Sequence, residues 1–302
     1  MPVFLIYTFK DPALLKRVAA RVAPHPVVVH VDAKVEIAPF RDATIDANVH
    51  FVSERVIVNW AGWSQVRAIR AMVRTGIKLA AGPDDHLVLL SGSDYPLRPV
   101  DELTAFLARH RGQQFLKAFE IKTSSDHYRK HLKRHFRDLP IGRKLPATPR
   151  GRRARNALIK ALESVAALGP QPKAPKGLRV AHGGTHFALT AECLTRLERM
   201  VTPEIETFFS RIFCPEEKFY HSLLASEDRL TKEWQVVPYQ GHGQWRYANL
   251  HHIEPKLDRV FTLNDWDVVS QIQDSFFIRK VQSTDSADLL DRIDAGLAGQ
   301  RS

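Results

Sequence analysis

The fold is decided by three consecutive stretches, VFLIYTF (residues 3–9), PALLKRVAARV (12–22) and VVVHV (Val27–Val31). The outer two are continuous apolar runs, as in strands covered on both faces, and the middle one carries apolar residues at helical spacing. The alternation continues downstream. A short β-branched run at 49–52 precedes a helical stripe over 64–79, made of Val66, Ile69, Met72, Val73 and Ile77, with Ser64 as its expected N-cap. An apolar strand at 86–90, a helix over Val100–Arg109 and a strand at 114–120 follow. Such βαβα order predicts an α/β fold with a mostly parallel sheet flanked by helices on both faces.

From Asp126 the pattern changes. Residues 128–136 are basic and helical in period, 156–167 read as a helix, and GPQPKAPKG (169–177) reads as a connector. Residues 138–178 hold too few large apolar side chains for a core of their own. They are expected to form a flexible basic insertion in a single domain spanning residues 1–302. Regular structure resumes with a strand at 186–189 and helices at 191–200 and 215–226. The net charge of +11 is concentrated here: residues 129–179 hold fifteen Lys/Arg against Asp138 and Glu163, leaving the remainder slightly acidic. Such a block suggests either an anionic partner (a membrane surface, a polyanionic substrate or nucleic acid) or a solvated insertion.

Several classes are disfavoured. The apolar run at the N-terminus is too short for a signal peptide, and no stretch approaches the roughly 20 apolar residues of a membrane-spanning helix. Cys193 and Cys214 give no disulfide framework and no metal cluster, so the chain reads as cytoplasmic. There is no G-x-G-x-x-G, P-loop or G-x-S-x-G motif. His131 with His135, and His251 with His252, lack carboxylate or thiol ligands at fitting spacing. In open parallel sheets ligands bind beyond the carboxyl ends of the strands. That rule selects His30–Val31–Asp32, Ser91–Gly92–Ser93–Asp94 and Glu120, where a carboxylate can take a ribose hydroxyl or a base edge or can simply cap the next helix.

Seven segments carry a resemblance: HVDAK (30–34), WAGWSQVRA (60–68), LLSGSDYPL (89–97), GGTHFALT (183–190), CPEEKFYHSLLAS (214–226), QWRYANL (244–250) and FIRKV (277–281). In this order the chain resembles the core-2/I-branching β-1,6-N-acetylglucosaminyltransferases and peptide O-xylosyltransferases of glycosyltransferase family 14. The resemblance runs through nearly the whole chain except the basic insertion. It implies a GT-A-like fold, a UDP-sugar donor (N-acetylglucosamine ahead of xylose) and an inverting transfer to a glycan or lipid-linked hydroxyl. Glu217, next to Glu216, matches the family's general base. Lys280, and a basic residue near Lys256 or Arg259, match the cations that replace a metal on the departing diphosphate. Arg279 is expected to point outward. The donor nucleoside falls to His30, Asp32 and Asp94, and the acceptor to Glu120, Trp245 and Tyr247, whose rings suit stacking on a sugar. Trp60 and Trp63 are expected to pack the helix that follows them. Gly183 and Gly184 are expected to let the backbone approach the acceptor or the base helix. The family's animal members carry a membrane anchor and many disulfides that this sequence lacks, which implies a bacterial-type relative, cytoplasmic or peripheral on the inner face of a membrane through residues 129–179. No cofactor and no metal are implied. The alternatives are a metal-dependent transferase using Asp94, an inactive transferase-like scaffold, and a basic nucleic-acid-binding protein. The last lacks a recognisable motif, and its aromatics are not interleaved with the basic block.

Overall fold

A computed structural model describes residues 1–138, 148–227 and 234–298. The opening runs form β1 (Val3–Thr8), α1 (Pro12–Arg21), β2 (Val27–Val31), α2 (Ala38–Ala43), β3 (Val49–Phe51), α3 (Trp63–Leu79) and β4 (His86–Ser91). Then come β5 (Asp94–Pro96), α4 (Val100–Arg109), β6 (Ala118–Glu120), α5 (Asp126–Lys130) and α6 (Pro149–Ala166). The remainder holds β7 (Ala181–Gly183), β8 (Ala188–Thr190), α7 (Ala191–Arg199), α8 (Pro203–Phe209) and α9 (Phe219–Ala225). It ends with β9 (His251–Ile253), α10 (Trp266–Val269), β10 (Phe277–Arg279) and α11 (Ala287–Ala298).

The central sheet has the order β3-β2-β1-β4-β8. Its first four strands are parallel, and β8 runs antiparallel to β4 at one edge. Alternation along β1 explains why its sequence is apolar throughout. Phe4 and Ile6 pack with α1, α4 and α11, while Val3 and Leu5 pack with α3, α7 and α9. Two small sheets, β5-β10-β9 and β6-β7, flank the main one. The mixed α/β architecture with a parallel-rich sheet is the GT-A-like arrangement that the sequence implied.

Differences from expectation are local. The 114–120 run narrows to β6, which leaves the main sheet to pair with β7, while Phe115 makes a single bridge to Ala188. The helix expected over 128–136 is the five-residue α5, and the 215–226 helix is a 3-10 turn (Pro215–Glu217) followed by α9. The helix expected from 156 begins at Pro149, because Thr148 caps it by accepting from the Gly151 amide at 3.1 Å. Of the expected basic insertion at 138–178, residues 139–147 lie outside the described residues.

Ser64 does not cap its own helix; Gly62 holds the N-cap position without a side-chain bond. Asp138 caps α3 from a distance, accepting from the Ser64 amide (2.8 Å) and hydroxyl (2.6 Å), where a carboxylate also favours the helix dipole. Arg70 of α3 binds Glu198 of α7 and Glu206 of α8, and Tyr220 of α9 donates to the same Glu198 at 2.9 Å. This nearly buried knot joins four helices. Glu198→Ala is expected to cost about 3 kcal/mol in urea unfolding, because Arg70 keeps only one partner. Removing the exposed Arg67–Glu54 pair by Arg67→Ala should cost under about 1 kcal/mol in the same assay.

Candidate active site

The carboxyl ends of β1, β2 and β4 open into a cavity of ≈ 380 Å³, within the roughly 300–1,000 Å³ of small-molecule sites. Its floor is Tyr7, Thr8 and Lys10 after β1 and Ser91–Gly92–Ser93 after β4. These loops touch because residue 92 is glycine: a β-carbon there would overlap the Thr8 hydroxyl. Asp32, Lys34, Trp60, Gln65, Thr185, His186, Gln244 and the pair Glu216–Glu217 line the rest. Arg279 reaches in from β10.

Arg279 is held from below. β10 and β5 pair antiparallel with Arg279 opposite Asp94, and the guanidinium donates to Asp94 Oδ1 at 2.9 Å and to the Ser91 hydroxyl. Asp94 also accepts from the Ser91 amide (2.6 Å) and hydroxyl (2.9 Å), and His186 Nε2 lies 3.0 Å from its Oδ2. Burial alone would raise the Asp94 carboxyl; His186 and Arg279 outweigh it and hold Asp94 well below the usual carboxylate range. Asp94 thus lies beneath the cavity as the anchor of Arg279.

The Glu216–Glu217 part of the lining has the reverse electrostatics. Cys214 turns the chain through a left-handed conformation (φ 46°), and Pro215–Glu217 leads into α9, whose residues are all buried. Burial raises Glu217, with Lys218 opposing, and burial together with Glu217 raises Glu216. Lys218 is fully buried and donates to the Cys214 carbonyl at 3.1 Å. His182 Nε2 stands 3.6 Å from Glu217 Oε2; burial, then Lys218, pushes this imidazole well below its ordinary value, so it is neutral. Gly183 fits because a β-carbon would overlap the Lys117 carbonyl and press on His221 of α9. Its expected role of close approach to the base helix is therefore what the backbone shows.

The remaining sequence-selected residues divide. Asp32 lines the cavity while accepting from the Lys34 and Val58 amides at 2.9 and 3.3 Å. His30 is fully buried and accepts from the Val56 amide at 2.9 Å, supporting that wall from behind. Lys280, next to Arg279, turns away from the cavity, with Nζ 4.0 Å from Asp258. Arg279, expected to point outward, instead lines the cavity and is held there by Asp94. Lys256 is exposed in the turn after β9, and Arg259 is tied to Asp265 and Glu254. Glu120 binds Arg179 at 2.8 Å, away from the cavity walls. Tyr247 is fully buried with its ring 4.6 Å from Phe119, which leaves no face for a sugar. Trp245 packs over Gly243 and under Arg246, while its neighbour Gln244 reaches the cavity. Trp63 is the first residue of the helix it was expected to pack, and its ring lies instead on Phe219 of α9, while Trp60 is 69% exposed at the rim. A tryptophan flanked by Asn59, Ala61 and Gly62 rather than by large apolar residues was the available signal.

Among the described residues, two groups of three or more have ligand atoms within 4.8 Å of one another: Asp94 with His186 and His251, and Cys214 with Glu216 and Glu217. Neither fits a divalent cation well. Asp94 already faces the permanent charge of Arg279, and the Lys218 ammonium lies against the second group.

The family model for the Core-2/I-Branching enzyme matches residues 3–236. Over 293 aligned residues the chain is 24% identical to Xylosyltransferase 2 of Rattus norvegicus and of Homo sapiens, covering 91% of this chain and 31% of each relative. It is 25% identical over 181 residues to Xylosyltransferase 1 of Homo sapiens, covering 59% of this chain and 16% of that protein. The chain spans about a third of the length of the first of these relatives.

The raised Glu216 has a thermodynamic signature. Its folded form retains a proton that the unfolded chain releases near 4.5, so stability falls as pH rises from there to about 8. Glu216→Gln should flatten this decline: Tm of the variant gains on wild type between pH 5 and 8, measured by calorimetry across that range.

Proposed function

The chain belongs to the Core-2/I-Branching enzyme family, and on that premise we propose that it is an inverting glycosyltransferase using a UDP-sugar. The carrying observation is a cavity at the strand ends lined both by an anchored guanidinium and by a buried carboxyl, Glu217. The similarity to xylosyltransferases makes xylose a donor sugar to test first, with the N-acetylglucosamine of the sequence resemblance beside it.

In the proposed reaction an acceptor hydroxyl, of a glycan or a lipid-linked molecule, attacks the anomeric carbon as the bond to UDP breaks. Its proton passes to Glu217, and the electron pair leaves with the diphosphate. Arg279 takes the developing charge, already oriented by Asp94 and Ser91, so little reorganisation is needed. Lys280, next in the chain, is the second cation we assign to the departing diphosphate, once a donor draws it from Asp258. Asp32 is assigned to the nucleoside and Trp60 to a sugar face at the rim. With the Asp94 oxygens occupied as described, no step is assigned to a metal.

Thermal shift with UDP in EDTA, followed by turnover with UDP-xylose and UDP-N-acetylglucosamine, tests the reading. Stabilisation by UDP in EDTA supports it; stabilisation only with Mn²⁺ removes the metal-free step. Glu217→Gln should keep the UDP shift while lowering kcat about 10²–10⁴-fold. Wild-type kcat/KM should rise with pH through about 7, because the carboxylate is the base and burial holds it protonated below that value. Arg279→Met should lose the UDP shift, and Arg279→Lys, which keeps the charge on Asp94, should recover part of it.

A further inference from the structure

Helix α6 has two apolar stripes. The inner one, Ile159, Leu162 and Ala166, turns toward the body of the protein, where Glu163 meets His135 at 2.8 Å and the Arg155 guanidinium donates to the Arg137 carbonyl at 3.3 Å. The second runs through Ala154, Leu158, Ala161 and Val165 and ends at Leu168, recurring every three or four residues on a face open to solvent. Leu158, Val165 and Leu168 are 40%, 70% and 90% exposed. Arg150, Arg153 and Lys160 are exposed alongside this stripe. The two acids of the segment both point inward, Asp138 to α3 and Glu163 to His135, so neither offsets these outward cations.

We propose that the outer face of α6 is a docking surface for a membrane leaflet bearing anionic headgroups. An exposed apolar stripe bordered by Lys and Arg is the pattern of a helix lying in the membrane interface, with the apolar side chains entering the acyl boundary and the cations meeting the headgroups. Charge complementarity selects this occupant. A second copy of the chain would bring the same cations face to face. A nucleic acid would use the cations and leave Val165 and Leu168 in water. The surface also connects to the cavity: Arg137, held by Arg155 of α6, stacks on Trp60 at 5.5 Å, and Trp60 is a cavity wall. Resting on the glycosyltransferase reading, this connection makes the acceptor a molecule displayed at that membrane.

Flotation of the full chain on phosphatidylcholine vesicles, with and without phosphatidylglycerol, tests the surface. Recovery on the anionic vesicles only, weakening as salt rises, is expected. Leu158→Ser/Val165→Ser/Leu168→Ser should abolish flotation. Arg150→Glu/Arg153→Glu/Lys160→Glu should weaken it on the order of a hundredfold. Both variants should keep the wild-type melting temperature and the UDP shift, which separates a failure here from a failure of the transferase reading. Equal recovery on both vesicle types, or wild-type flotation by both variants, overturns the proposal. So does a concentration-dependent dimer lost in the serine variant, which would give the stripe to a second copy, or DNA binding lost in the glutamate variant without any flotation.

Discussion

A carboxylate and a guanidinium meeting inside the protein, Asp94 and Arg279, hold the two ends of the chain in one site. They are 185 residues apart in sequence and directly paired across β5 and β10. Each charge alone would be costly away from water, and buried pairs contribute little net stability against apolar replacements. Their contribution is placement. With Ser91 supplying an amide and a hydroxyl, Asp94 spends its acceptors below the floor and leaves one face of Arg279 to the cavity. The Gly92–Thr8 contact brings the β1 and β4 loops close enough for this arrangement to form.

The Glu216–Glu217 part of the lining is governed by the same low polarity acting without a partner cation of that quality. Glu216 and Glu217 are raised by burial, and His182 beside them is held neutral. The cavity is therefore lined both by a fixed cation and by a buried carboxyl whose protonation is tuned toward neutrality. Such polarity suits a reaction in which negative charge moves from an attacking hydroxyl to a departing diphosphate. The Arg70–Glu198 knot and the fully buried α9 keep the Glu216–Glu217 turn in register with the strand ends, because α3 contacts both the sheet and the turn bearing Glu217.

The main sheet was legible because β1, β2 and β4 are buried on both faces and their sequences say so: the Val27–Val31 boundaries agree with the structure to the residue, as do those of the helix Val100–Arg109. The strand-end rule likewise selected Asp32 and the Ser91–Gly92–Ser93 turn. The failures share a cause. β5, β9 and β10 have three residues each and pair across long separations, so no local pattern announces them. Without that register, the pairing of Arg279 with Asp94 is not legible, and neither is the fact that Arg279 is the last residue of β10 while Lys280 lies beyond it. Tyr247 and Trp60 were exchanged for a similar reason: amphipathic rings suit either a core or a rim, and only the partners Phe119 and Arg137 distinguish the two. Asp138 read as one of two acids in a basic segment until the fold brought it to the start of α3.

The most direct test of the account is a crystal structure with UDP, grown in EDTA. The account predicts the diphosphate against the free face of Arg279 above Ser91–Gly92–Ser93, the uridine toward Asp32, and Glu217 across the remaining space. A diphosphate that binds only with a metal ligated by Asp94, or a nucleotide seated outside this cavity, would contradict it.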